Sequence, residues 1–209
     1  MAFTEPRKYA MTRAQAVEWT EFAATNEWAK DALASTSWED NSLPERCVAV
    51  YYVVDKEKKL HVVIWSHDFK QSFKELSLAW IEELYEVEES DIRQVEYPEE
   101  SIIKPGGQIF MLLDGDKVAG TVAMMIEHGK CELGKMAVSK AYQGRGFAHP
   151  LMMEGITWAR KEGHPDITLL TDINLVKAVS LYEKYGFKIT HRGEHPMYKR
   201  VTCIMHLEF

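Results

Sequence analysis

The stretch that most constrains the fold is Lys135–Ala148 (KMAVSKAYQGRGFA), in which an apolar segment leads into a glycine-rich turn and then a helix start. The turn holds two glycines separated by one residue, so its backbone N–H groups can approach a ligand closely. The helix that follows directs its free N–H groups and the positive end of its dipole toward the turn. This order of strand, turn and helix predicts a binding site for an anion, most often a phosphate or a pyrophosphate.

The hydrophobic pattern of the rest of the chain predicts hairpins first and alternating strands and helices later. Strands are predicted at Arg46–Val54, Leu60–Trp65, Gln108–Leu113, Val118–Ile126, Cys131–Val138, Ile167–Thr171, Phe187–Thr190 and Val201–Phe209. Helices are predicted at Thr12–Leu33, Gln71–Val87, Glu88–Val95, Gly146–Glu162 and Asn174–Tyr185. The pattern therefore predicts an α/β (α+β) fold, with a mixed, mostly antiparallel central sheet flanked by helices.

Composition and charge exclude several classes of protein. No apolar run approaches the roughly 20 residues of a membrane span, and the first residues lack the apolar centre of a signal peptide. The net charge of −7 disfavours binding to nucleic acid. The three cysteines and eight histidines show no metal-ligand spacing, so we expect no metal and a reduced, cytoplasmic protein without a membrane partner. The glycine turn also lacks the Gly-Lys-Ser/Thr ending of nucleoside-triphosphatase loops.

A second motif lies about thirty residues after the turn, at Asn174–Phe187 (NLVKAVSLYEKYGF). Together, KMAVSKAYQGRGFA and AVSLYEKYGF resemble the GNAT superfamily of acyl-CoA-dependent N-acyltransferases. The first matches that family's pyrophosphate signature, Gln/Arg-x-x-Gly-x-Gly/Ala, and the second its helix-to-strand signature ending in Tyr-x-x-x-Gly-Phe. We therefore expect a GNAT-like N-acetyltransferase domain over residues 61–209, with residues 1–60 as a helix/strand extension packed on the core.

The resemblance implies that acetyl-CoA is the acyl donor, and it assigns parts of the site. Residues 136–138 match a strand segment whose backbone groups bond the pantetheine arm, and residues 143–148 match the pyrophosphate cradle. Tyr182 matches the general acid that protonates or hydrogen-bonds the departing thiolate. The implied cofactor-binding residues are Met136, Ala137, Val138, Gln143, Gly144, Arg145, Gly146, Phe147, Ala148, Asn174 and Ala178. Asn174 departs from the family pattern. It precedes Tyr182 by eight residues, whereas the family's asparagine precedes its tyrosine by seven.

Amine attack also requires a base, because a free alkyl amine with a pKa near ~10 is mostly protonated at neutral pH. Glu132 is the first choice, since it shares strand parity with Met136 and Val138 and would face the same cleft. Glu127 and His128, at the far end of a hairpin, are the reserves. Two plainer alternatives stay open, namely that Glu132 only faces solvent and that Tyr182 is only a core residue.

Two further features bear on the acceptor. Asp172 either orients an amine or caps the helix after it, and the cap is favoured. The segment from Glu82 to Glu100 holds nine carboxylates and a single cation, Arg93. It predicts either an entrance that attracts cationic amines or a solvated helix face.

The sequence thus predicts transfer of an acetyl group to a primary amine, on a small cationic molecule or on a peptide or protein. The alternative is a non-catalytic acyl-CoA-binding regulatory module on the same fold. Residues 1–60 would shape the acceptor pocket or form the face of a homodimer.

Overall fold

The computed structural model describes residues 7–11, 46–53 and 58–209, which form one nine-stranded sheet with helices on both faces. The strands are β1 (Arg7–Met11), β2 (Cys47–Val53), β3 (Lys58–Ile64), β4 (Gln108–Asp114), β5 (Lys117–Glu127), β6 (Lys130–Val138), β7 (Asp166–Thr171), β8 (Lys188–Arg192) and β9 (Cys203–Glu208). The α-helices are α1 (Lys70–Leu84), α2 (Glu89–Glu96), α3 (Ala148–Lys161) and α4 (Val176–Lys184). Short 3₁₀ turns at His67–Phe69 and Lys140–Tyr142 and a π-helical turn at Glu99–Ile103 complete the described elements.

The sheet has the order β1-β2-β3-β4-β5-β6-β7-β9-β8. Neighbouring strands run antiparallel except at two places, where β1 pairs with β2 and β6 pairs with β7. The prediction of a mixed, mostly antiparallel sheet flanked by helices is therefore confirmed.

Both faces of the central strands are buried, which explains their continuous apolar runs. In β4, Phe110 and Leu112 pack into the cluster that contains Leu151 of α3. Met111, between them, packs into the opposite cluster with Phe73 of α1. This alternation, with its period of two residues, places α3 on one face of the sheet and α1 on the other.

The predicted elements differ from the structure in a few places. Strand β1 was not predicted, because Arg7–Met11 is short and charged and its strand conformation depends on pairing with β2. The Glu99–Ile103 turn lies between the predicted helix that ends at Val95 and the predicted strand that begins at Gln108, where no element was predicted. Two helices begin two residues later than predicted, α3 at Ala148 instead of Gly146 and α4 at Val176 instead of Asn174. The residues of the glycine turn and of the loop before α4 stay outside the helical hydrogen-bond pattern. The helix predicted at Thr12–Leu33 lies outside the described residues.

Within residues 7–11, 46–53 and 58–209, no helix has the length and apolar character needed to cross a bilayer.

Candidate active site

Strands β6 and β7 separate soon after they meet. Their pairing is limited to Glu132 with Thr168, although the two strands are sheet neighbours. On its other edge β6 stays paired with β5 as far as Val138. Beyond Glu132, one edge of β6 therefore has no strand partner among the described residues, and its backbone groups are available to a ligand.

A bulge in β6 accompanies this separation. Ala123 pairs with Gly134 and Thr121 pairs with Ala137, so two β6 residues stand opposite the single residue between them on β5. Lys135, the first of the two, has a φ of 48°. A left-handed lysine is uncommon and strained, and such a bulge turns the following segment away from its neighbour. The open edge is thus Met136–Val138, the segment predicted to bond a pantetheine arm, and all three residues are half-buried.

The predicted anion turn lies directly after this edge. Gly144 and Gly146 have φ values of 70° and 78°, in the left-handed region that favours glycine. The Gln143 side chain donates a hydrogen bond from Nε2 to the Val138 carbonyl at 3.0 Å, which ties the turn to the open end of β6. The Phe147 ring stacks on Tyr142, with 5.2 Å between ring centroids. The turn is therefore anchored at both ends.

Helix α3 starts at the end of this turn without a side-chain cap. Its N-cap is Phe147, whose side chain cannot accept a hydrogen bond from the first-turn N–H groups, and Ala148 is the first helical residue. A Cβ built on Gly144 would meet nothing within 4 Å, so the space beside the turn is open. Arg145, at the tip, is exposed. Open space, two left-handed glycines and a helix N-terminus together make a cradle that fits a pyrophosphate.

The residues predicted on the other side of the cleft belong to α4 and the loop before it. Tyr182 is half-buried and packs edge-on against Phe187, with 6.1 Å between ring centroids. Burial raises the pKa of its phenol to about 12. Ala178, one turn earlier, is also half-buried. Asn174 is exposed, precedes the helix, and donates hydrogen bonds from both its backbone N–H and its Nδ2 to Asp172, each at 3.0 Å.

Glu132 faces an inner pocket of about 90 Å³ that opens where β6 leaves β7. The pocket is lined by Trp80, Tyr85, Ser90, Asp91, Gln94, Met125, Glu132, Gly134, Lys135, Leu170, Thr171, Asp172, Leu175, Tyr198, Arg200 and Val201. Burial, followed by the charge of Glu127, raises the pKa of the Glu132 carboxyl to about 7, although the Lys135 cation opposes the shift. The carboxyl can therefore accept a proton near neutral pH.

The two reserve bases lie elsewhere. Glu127 and His128 are exposed at the β5–β6 hairpin, where His128 occupies the turn with a φ of 51°. Neither residue lines the inner pocket. Tyr182 does not line it either, so the inner pocket does not bring the predicted acid and base together.

A buried ion cluster beside Glu132 was missed by the sequence reasoning. Asp91 is 1% exposed, and its carboxylate accepts hydrogen bonds at 2.7 Å from Lys135 Nζ and from both Nη atoms of Arg200. Arg200 also pairs with Glu88 at 2.8 Å. The two cations outweigh the effect of burial and hold the pKa of Asp91 below its usual range. The one signal in the sequence for such a cluster was Lys135, a charged residue inside the predicted strand Cys131–Val138.

Asp172, directly after β7, does not cap helix α4 as predicted; its hydrogen bonds lie in the loop before that helix. Its carboxylate accepts hydrogen bonds from the Tyr85 hydroxyl at 2.6 Å and the Thr202 hydroxyl at 2.7 Å, besides those from Asn174. The N-cap of α4 is Leu175, which has no side-chain cap. Asp172 therefore orders the loop before the helix and joins α1 and β9 to the pocket wall.

The acidic run is largely neutralised by cations from elsewhere in the fold. The ion pairs join Glu83 to Lys140, Glu88 and Asp91 to Arg200, Glu96 to Lys74, and Glu100 to Lys104. Glu99 accepts hydrogen bonds from Trp65 and His67. Six of the nine carboxylates therefore have a hydrogen-bond or ion-pair partner within the fold. Glu86 and Glu89, however, line an outer chamber of about 680 Å³ that shares Tyr85, Asp172 and Arg200 with the inner pocket.

Comparisons with known proteins agree with this architecture. Residues 71–187 match the model of a family described as the acetyltransferase (GNAT) family. The chain is 28% identical over 96 residues to rat N-acetyltransferase family 8 member 2, covering 43% of this chain and 42% of the relative. It is 30% identical over 84 residues to an uncharacterized N-acetyltransferase of Bacillus subtilis, covering 40% of this chain and 54% of the relative. The matches thus span about half the length of these curated relatives or less.

Solved structures share the fold at low sequence identity. A GNAT-family acetyltransferase of Staphylococcus aureus superposes with a TM-score of 0.64 at 18% identity, covering 71% of this chain and 98% of that chain. A Bacillus subtilis acetyltransferase, solved in complex with CoA, gives a TM-score of 0.56 at 21% identity, covering 72% of this chain and 99% of that chain.

Proposed function

Because this chain belongs to the GNAT acetyltransferase family, we propose that it transfers an acetyl group from acetyl-CoA directly to a primary amine. The observation that carries the proposal is the position of Glu132. Its carboxyl, with a pKa raised to about 7, lines a pocket at the point where β6 parts from β7 and leaves a free strand edge. A proton acceptor tuned to neutral pH beside an open backbone edge is suited to deprotonating an amine held next to a thioester.

The residues present fit acetyl-CoA as the acyl donor. The turn at residues 143–148 offers open space and a helix N-terminus for the pyrophosphate, and Met136–Val138 offer an edge without a strand partner for the pantetheine amides. The Bacillus subtilis neighbour solved with CoA supports this choice of donor. When bound, acetyl-CoA supplies an acyl carbon that is activated by its thioester link. Asn174, already engaged by Asp172, and Ala178 are proposed to border the donor from the α4 side.

Glu132 acts in this proposal as the general base. It accepts a proton from the amine nitrogen as the new C–N bond forms and the C–S bond breaks. Backbone N–H groups near Val138 polarise the acyl oxygen. Because its pKa is about 7, Glu132 is about half ionised at pH 7, and turnover should rise with pH through that range.

Tyr182 acts as the hydrogen-bond donor to the departing sulfur. The pKa of about 12 keeps the phenol protonated at every pH at which the enzyme would work. Complete transfer of that proton to a thiolate with a pKa near ~8.5 is uphill, so the phenol stabilises the leaving group mainly by donating a hydrogen bond.

For the acceptor, we propose a cationic amine that enters through the outer chamber. Glu86 and Glu89 line this chamber and are exposed, whereas Glu88 beside them is paired with Arg200. Charges of one sign at a cleft entrance raise the local concentration of ligands of the opposite sign.

Charge reversal at the chamber tests the acceptor proposal. In Glu86→Lys/Glu89→Lys, we expect the KM for a cationic amine to rise about tenfold at low salt and by less at high salt, because salt screens exposed charges. The matched control is Glu75→Lys/Glu82→Lys, which changes the net charge equally on α1 outside both pockets. Equal KM values for the two variants would contradict a cationic acceptor.

Binding of the donor is the first test of the whole proposal. Calorimetric titration with desulfo-coenzyme A should give micromolar binding, and titration with ATP should give none, because only the former carries a pantetheine arm for the β6 edge. Absence of binding by both compounds would overturn the donor assignment.

A variant of the glycine turn tests where the donor binds. In Gly144→Val, we expect affinity for desulfo-coenzyme A to fall about tenfold or more, because a β-branched residue strains the left-handed turn that presents the N–H groups. Gly115→Val is the control: Gly115 has a φ of 60° and equally open surroundings, in the β4–β5 hairpin. Both variants should lose similar stability in thermal unfolding, but Gly115→Val should bind normally.

A further inference from the structure

The ion cluster beside Glu132 joins three separate parts of the fold. Asp91 belongs to α2, Lys135 to the bulge of β6, and Arg200 to the segment between β8 and β9. The side chains of Lys135 and Arg200 are only 7% and 16% exposed. Burying charged groups is costly unless each is paired, so this arrangement requires a compensating partner for every member. Asp91 provides that partner for both cations.

The backbone at Lys135 adds a second cost. A non-glycine residue at a φ of 48° is strained, and glycine would avoid that strain at this bulge. Lysine at this position supplies a side chain that reaches Asp91 at 2.7 Å. The bulge also brings Lys135 onto the wall of the inner pocket, where it lies with Glu132 and Gly134.

We propose that Lys135 is a positioning residue, which its ion pair with Asp91 holds on the pocket wall with Glu132 so that its ammonium favours the ionised form of the Glu132 carboxylate that catalysis requires. This inference rests on the proposed function, in which Glu132 is the base. Lys135 itself neither accepts the amine proton nor contacts the acyl group in this scheme.

The charges around Glu132 support a specific role for this lysine. The charged or titratable groups that face the pocket or act on this carboxyl are Lys135, Asp91, Arg200, Glu127, Asp172, Tyr85 and Tyr198. Burial and Glu127 raise the pKa of Glu132, and Lys135 is the group that lowers it. The charge of Arg200 is shared between Glu88 and Asp91. Removal of the lysine charge should therefore shift the pKa of Glu132 upward.

The test compares Lys135→Met with Lys135→Arg, because both keep a long side chain on the same strained backbone and only the arginine keeps the charge. The dependence of kcat on pH is measured between about pH 5.5 and 9.5 with both substrates saturating. In Lys135→Met, we expect the midpoint of the rising limb to move up by about one pH unit, which lowers kcat about fivefold at pH 7 and little at pH 9. Lys135→Arg should keep the midpoint within a few tenths of a unit.

A second readout is independent of turnover. The ¹³C carboxyl resonance of Glu132, identified as the signal lost in Glu132→Gln, is titrated in the protein alone and should show the same upward shift in Lys135→Met. Lys130→Met, an exposed lysine on the same strand, is the control and should shift neither curve. Should Lys135→Met fold poorly, Lys135→Gln, whose amide can still donate a hydrogen bond to Asp91 but carries no charge, should give the same shift.

The inference would be overturned if a folded Lys135→Met protein kept the wild-type midpoints in both the carboxyl titration and the pH dependence of kcat. It would also be overturned if the midpoints of Lys135→Arg moved as far as those of Lys135→Met. The proposed function is tested separately, by Glu132→Gln. If Glu132→Gln retained wild-type turnover, the base assignment would be wrong, although the resonance could still report whether Lys135 tunes the carboxyl.

Discussion

Replacement of Glu132 by Gln is expected to lower kcat about 10²- to 10⁴-fold, because the amide keeps the shape of the side chain but cannot accept the amine proton. The wild-type kcat should rise with pH through a midpoint near 7, since the raised pKa of Glu132 sets the pH at which the base becomes ionised. In Glu132→Gln this limb should be absent. Steady-state rates over the pH range, measured with thiol detection, give both results.

Glu127→Gln is the matched control for this prediction. Glu127 is the last residue of β5, is exposed, and acts on Glu132 only through its charge. Its loss should leave maximal turnover intact and move the midpoint slightly downward, because a like charge that raised the pKa of Glu132 has been removed. A large loss of maximal turnover in Glu127→Gln, with a normal rate in Glu132→Gln, would indicate that Glu127 is the base.

Replacement of Tyr182 by Phe is expected to lower kcat about 10²-fold while affinity for desulfo-coenzyme A stays unchanged. The ring that packs against Phe187 is kept, and only the hydroxyl that would hydrogen-bond the leaving sulfur is lost. Because the pKa of this phenol is about 12, the wild-type profile should show no falling limb from Tyr182 below about pH 10. Calorimetry and steady-state kinetics on the same preparations separate binding from turnover.

Tyr185→Phe is the control, three residues further along the chain. The Tyr185 hydroxyl is buried and hydrogen-bonded to His149, at 2.9 Å from Nδ1 and 3.2 Å from the carbonyl oxygen. Its removal should lower the free energy of unfolding by about 1 kcal/mol or more and leave kcat within a few-fold of wild type. Similar rate losses in both variants would indicate that Tyr182 acts through packing alone.

Local patterns in the sequence determined most of the fold. The apolar runs of β4, β5 and β6 predicted central strands of a mixed, mostly antiparallel sheet flanked by helices. The turn at residues 143–148 was predictable because left-handed glycines before a helix are a local requirement. Strand parity put Glu132 on one face of β6 with Met136 and Val138, but this part of the prediction was wrong. Glu132 lines the inner pocket with Gly134, whereas the bulge at Lys135 reverses the alternation, so that Met136 and Val138 pack in the cluster of Leu133 on the opposite face.

Only the tertiary structure decided how the charges of the site are arranged. Lys135 and Asp91 are 44 residues apart in the chain, and Arg200 and Asp91 are 109 apart, so no local spacing indicates their pairing. The acidic run looked uncompensated because its partners, such as Lys140 and Arg200, lie outside it. Helix and strand formation depends on neighbours along the chain, whereas the ionisation of a buried carboxyl depends on groups that the fold brings within a few ångströms.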